Sequence, residues 1–65
     1  MTKAKDGVHV PIKVQGRTYL VHCAYDTDAG VWYVAASRFP GLNLEAATIE
    51  ELRDKLPGAI SDLLE

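Results

Sequence analysis

The sequence predicts an α+β domain: an antiparallel meander of three to four strands with one C-terminal helix packed on one face. Three observations carry this expectation. Apolar and polar residues alternate through residues 8–14 and 18–25, the period of half-buried strands. Two turn-forming clusters, Gln15-Gly16 and Asp26-Thr27-Asp28-Ala29-Gly30, punctuate that alternation. From Ile49 onward the apolar spacing becomes helical, and Thr48 and Glu51 stand three residues apart at its start as a capping box.

The 65 residues are expected to make one domain, 1–65, near the lower size limit for an unstapled core. Residues 1–6 read as a polar, frayed start. Val8, Val10, Ile12 and Val14 form the first strand. If Gln15-Gly16 is a two-residue hairpin loop, Val14 faces Arg17, Ile12 faces Tyr19 and Val10 faces Val21. Pro11 then falls opposite Leu20 in a non-hydrogen-bonded pair, where its missing N–H points away from the partner strand. Proline at that place requires an edge strand. Gln15 suits the positive φ of such a loop poorly, so a bulged loop with a shifted register is the alternative.

Tyr19, Val21, Cys23 and Tyr25 make the apolar series of the second strand. Residues 31–37 make the third, with Trp32, Val34 and Ala36 on its more apolar side. At Phe39-Pro40-Gly41-Leu42, Pro40 fixes φ and Gly41 is available for positive φ. Residues 42–46 form a short fourth extended segment. Ile49, Leu52, Leu56, Ile60 and Leu63 line the inner face of the helix. Pro57-Gly58 interrupts it, at about 3 kcal/mol if Pro57 lies in the interior. Either the helix kinks there or a second short helix begins with Pro57. The expected core is Val10, Ile12, Tyr19, Val21, Cys23, Trp32, Val34 and Ala36 against those five helix residues.

Composition excludes several classes of function. A net charge of −2 with no basic stripe argues against direct nucleic-acid binding. No apolar run approaches a membrane span and no signal-peptide segment is present, so a cytoplasmic protein is expected. The single Cys23 permits no internal disulfide and reads as a small core residue.

Candidate chemistry is sparse. His9 and His22 stand opposite each other in the hairpin register, but no third metal ligand accompanies them, so no metal site is expected. Asp26, Asp28, Glu45, Glu50 and Glu51 are each explained by turn chemistry, capping or helix polarity. No nucleophile or phosphate-binding loop stands in a recognisable context. The expectation is therefore no enzyme, no catalytic residues and no cofactor. Trp32 and Tyr33 are neighbours in one strand and must point to opposite faces. One helix covers only one of those faces. The other is expected to present Leu20, His22, Ala24, Val31, Tyr33 and Ala35 as a self-association or partner face.

Tyr25-Asp26-Thr27-Asp28-Ala29-Gly30-Val31-Trp32, Phe39-Pro40-Gly41-Leu42, Glu45-Ala46 and Thr48-Ile49-Glu50-Glu51-Leu52 occur in an order and spacing that resemble the HicB-like antitoxin superfamily. The likeness covers about residues 19–64 and is greatest to the short HicB-related group of unknown function. It implies a three-stranded meander on one helix. It also implies a protein-binding role, since HicB proteins neutralise HicA, a small mRNA-cleaving toxin. Many HicB proteins add a C-terminal DNA-binding domain. With nothing after Glu65, neither that module nor autorepression is expected here. Ser37-Arg38 replaces residues that are usually acidic in the short group, and the strand at 8–14 is additional, suited to a sheet edge that a later strand fills in relatives.

Two functions are thus expected as alternatives. One is a non-catalytic, antitoxin-like domain that binds a small basic HicA-type toxin. The other is a stand-alone oligomeric scaffold with no toxin partner. In either case the uncovered face predicts a homodimer or a higher even-numbered assembly. Protonation of His9 and His22 within that contact would weaken it by charge repulsion and desolvation.

Overall fold

The structure, a computed structural model, describes residues 7–64. The expected fray at residues 1–6 lies outside the described residues. The fold is α+β, a four-stranded antiparallel meander with one C-terminal helix packed against it. The strands are β1 (Val8–Val14), β2 (Arg17–Asp26), β3 (Val31–Ala36) and β4 (Glu45–Ala46), and the helix is α1 (Ile49–Leu64). Sheet order follows chain order, β1-β2-β3-β4.

The first hairpin has the two-residue register. Val14 pairs with Arg17, Ile12 with Tyr19, Pro11 with Leu20 and Val10 with Val21. Gln15 and Gly16 both take positive φ, 53° and 81°, the type I′ geometry whose twist matches the flanking strands. A non-glycine residue in that region costs roughly 1–2 kcal/mol, yet the closure around it prevails at Gln15. Among the described residues β1 pairs only with β2 and so lies at the sheet edge, as Pro11 requires.

The second hairpin is closed by its own polar atoms. The Gly30 N–H donates to the Asp26 carbonyl at 2.7 Å, with Gly30 at φ 71°. The Asp28 and Ala29 N–H groups donate to Asp26 Oδ1 at 2.9 and 3.1 Å. Beyond it, Cys23 pairs with Val34 but His22 pairs with Ala36, so Ala35 is an extra residue in β3. This bulge corrects one expectation. Ala36 lies opposite His22 and is exposed rather than part of the core.

The turn at Pro40-Gly41 is closed by the Leu42 N–H on the Phe39 carbonyl at 3.1 Å, and Gly41 does not adopt the positive φ for which it is available. The fourth strand is shorter than the extended segment at 42–46, since only Glu45 and Ala46 pair with β3, through Tyr33 and Trp32. The Glu51 N–H donates to Thr48 Oγ1 at 3.1 Å, which caps α1 through the threonine half of the expected capping box. α1 is not split at Pro57; it runs unbroken through it, although the proline has no N–H to offer the Arg53 carbonyl.

The core combines Val10, Ile12, Val14, Val21 and Cys23 of the sheet with Leu42, Ala46, Leu52, Leu56 and Ile60. Tyr19, Trp32, Val34 and Ile49 are half-buried against it. Leu63, expected inside, is exposed. It belongs to the last turn of α1, level with the Pro40-Gly41 turn, where a Cβ on Gly41 would lie 3.6 Å from its Cδ2. Val14, which belongs to the apolar series of the first strand, joins the core together with Leu42 and Ala46, and none of the three is in the expected core set.

Candidate binding face

The strand alternation that buries Val21 and Cys23 under α1 sends the even-numbered residues of β2 to the opposite face. The register then adds their cross-strand neighbours and divides that face into rows. At one end Lys13 lies beside Thr18. Next come Pro11 and Leu20, then His9, His22 and Ala36. Ala24, Tyr33 and Glu45 follow, and Asp26 with Val31 closes the other end. No helix covers these rows among the described residues.

The residues expected on the uncovered face lie there with changes of detail. Leu20 is 62% exposed, the largest exposure among the big apolar side chains described. His22, Val31 and Tyr33 are half-buried, and Ala35 is exposed on the bulge. Ala24 is buried, at 5% exposure. Its single methyl lies low between His22, two residues away on the same face, and Tyr33, directly opposite. The apolar surface is consequently a mosaic, interrupted by the histidine row.

His9 and His22 form a stacked pair, with ring centroids 4.6 Å apart and 13° between planes. Their position as a non-hydrogen-bonded pair, where side chains approach most closely, accounts for the stacking. The backbone of Gly7 closes on the other side of His22. A Cβ on Gly7 would overlap His22 Nε2 and come within 2.8 Å of the Cys23 carbonyl oxygen. Near-parallel rings do not converge their lone pairs on one ion. Among the described residues no group of three or more His, Cys, Asp or Glu side chains is placed to hold a metal.

Two hollows flank the sheet. An open cleft of about 470 Å³ is bordered by Asp26, Val31, Tyr33, Val34, Asn43, Leu44 and Glu45 at the β3–β4 side. A smaller groove, about 270 Å³, runs between β1 and α1 past Pro11, Lys13, Arg53 and Asp54. The Cys23 thiol lies in the core, hydrogen-bonded at 3.9 Å to the Val21 carbonyl, and desolvation pushes its pKa up from 9.0. It is a neutral packing group at physiological pH.

Strand alternation assigns Leu20, His22, Val31 and Tyr33 to this face, and the register adds Lys13, Asp26 and Glu45. The signal for Lys13 was available, since the Gln15-Gly16 loop sets Lys13 opposite Thr18 and hence on the Leu20 face.

Taken together, the fold and this face define a small α+β domain with one sheet face under a helix and the other uncovered among the described residues. The chain belongs to the family described as Domain of unknown function (DUF1902), whose profile matches residues 18–65. The match begins within β2, so β1 precedes it. No curated protein matches the chain, and no solved structure does. Among the described residues no helix is long and apolar enough to cross a membrane.

Proposed function

We propose that this chain is a non-catalytic protein-binding domain that offers the sheet face opposite α1 to a protein partner in the cytoplasm. One observation carries this reading: Leu20 stands 62% exposed on a face that also holds half-buried Val31 and Tyr33, while the other face is closed by α1. Burying such side chains against a partner gains roughly 25 cal/mol per Å² of apolar surface removed from water. The reactive groups support a non-enzymatic role. Asp26 Oδ1 is engaged by two backbone N–H groups of its own turn, Thr48 caps α1, and Cys23 is buried and neutral.

The resemblance to HicB-like antitoxins supplies the partner, a small basic HicA-type toxin. The carboxylates of Asp26 and Glu45, on either side of the Tyr33 cleft, suit a basic protein. The test is co-expression with such a toxin. The wild-type chain restores growth and co-purifies with the toxin, whereas Leu20→Asp loses both while keeping the wild-type melting temperature. Failure of the wild-type chain either to rescue growth or to form a complex would overturn the antitoxin reading. A second reading, an oligomeric scaffold without a toxin, is favoured by opposite charges at the two ends of the same face, Lys13 at one and Asp26 at the other.

A further inference from the structure

We infer that, when no toxin is bound, two copies of this chain close their open faces on each other as an antiparallel two-fold dimer. Lys13 of each copy then meets Asp26 of the other, and the imidazole pairs lie at the axis. The inference rests on the reading of this face as a protein-binding surface and names the occupant it has in the free protein.

The rows of the face are symmetric in position about His22. Leu20 and Ala24 lie two residues to either side, and Thr18 and Asp26 lie four. A two-fold axis running across the strands through the His9–His22 row brings each row of one copy over its counterpart in the other. Leu20, which projects, falls over the row of Ala24, which is buried and walled by Tyr33. Lys13, beside Thr18, falls next to Asp26 of the partner copy. That carboxylate is held in place by the N–H groups of Asp28 and Ala29, which engage only its Oδ1.

The charge layout selects this orientation over the alternative. With the axis along the strands, the acidic ends carrying Asp26 and Glu45 would coincide, and like charges would oppose each other. Turning one copy end for end separates the carboxylates and places Asp26 next to Lys13 of the other copy. Aligned sheets tolerate this arrangement, since they pack about 10 Å apart with strands within about 30° of each other. The competing mode, extension of the sheet through β1, is blunted. The outward-pointing backbone positions of that edge are His9, Pro11 and Lys13, and the central one has no N–H to donate.

The test is the solution mass of the full chain at neutral pH, measured by light scattering and sedimentation over a range of concentrations. The expected mass at high concentration is twice 7.1 kDa. Lys13→Glu, a change on an exposed strand position, is expected to weaken the dimer about ten-fold or more, because symmetry places two such charge pairs in each contact. Asp26→Asn keeps the acceptor for its turn and removes the charge. It should weaken the dimer too, and Lys13→Glu should cost distinctly less in the Asp26→Asn background than alone.

A monomer at several hundred micromolar would overturn the inference. So would a dimer indifferent to Lys13→Glu, or strictly additive effects of the two changes. Toxin rescue reads the functional proposal separately. A monomeric protein that still neutralises the toxin defeats the dimer alone, and a dimer that follows the charge cycle without rescue defeats the antitoxin reading alone.

Discussion

The two faces of this sheet come from the same four strands, yet they differ in nearly every physical respect. Under α1, the sheet contributes Val10, Ile12, Val14, Val21 and Cys23, all aliphatic or small and all buried. On the other side, the intervening residues give lysine, proline, leucine, a stacked histidine pair, tyrosine and two carboxylates. The covered face has one requirement, to fill space without polar atoms, and its residues are nearly interchangeable in chemistry. The open face has no such requirement, so its mixture of charge, aromatic and aliphatic groups is the part of the molecule free to encode recognition.

That contrast breaks most sharply with the same substitution on each side. Leu52→Ala, at a residue with 0% exposure, is expected to cost about 2–5 kcal/mol by calorimetry or denaturant unfolding. Such a loss is a large part of what a domain of this size possesses. Were Leu52→Ala to melt with the wild type, the packing of α1 on the sheet would be wrong.

Gly7→Ala should cost less, about 1 kcal/mol, because the new methyl forces His22 and the start of β1 to shift. Imidazole proton signals of His9 and His22 are expected to lose their stacked-ring shifts in that variant. Smaller again is an alkaline effect of the covered face. The Cys23 thiol has its pKa raised by burial, so it holds its proton more tightly folded than unfolded. Stability therefore falls as pH rises past 9.0. Denaturant midpoints of the wild type and Cys23→Ala, compared at pH 8 and pH 10, isolate this contribution, since only the wild type carries it. At the bottom of the scale, Leu20→Ala on the open face should change stability by no more than about 0.5 kcal/mol.

What the sequence made legible follows the same division. The β1–β2 register was readable residue by residue given a two-residue loop, with which Pro11 agrees, but Gln15 left a shifted register open until its positive φ was seen. The bulge at Ala35 was not. Ala35, Ala36 and Ser37 are all small, and alternation among small residues gives no sign of which one is extra. Leu63 has correct helical spacing, but spacing alone does not say whether the sheet extends beneath the last turn. The unbroken course of α1 through Pro57 was likewise undecided locally, since packing of Leu52, Leu56 and Ile60 on the sheet outweighs the lost hydrogen bond. For the open face, alternation identified Leu20, His22, Val31 and Tyr33. It did not reveal the shielding of Ala24, which depends on the size of its neighbours.

The central claim, that one face holds the fold and the other receives partners, is tested most directly by methyl NMR spectra recorded as protein concentration rises. Leu20 and Val31 methyl signals are expected to move together with concentration, while those of Val21, Leu52, Leu56 and Ile60 stay fixed. Movement of the core methyls with a stationary Leu20, or no movement at Leu20 and Val31 at any concentration or on adding a HicA-type toxin, would contradict it.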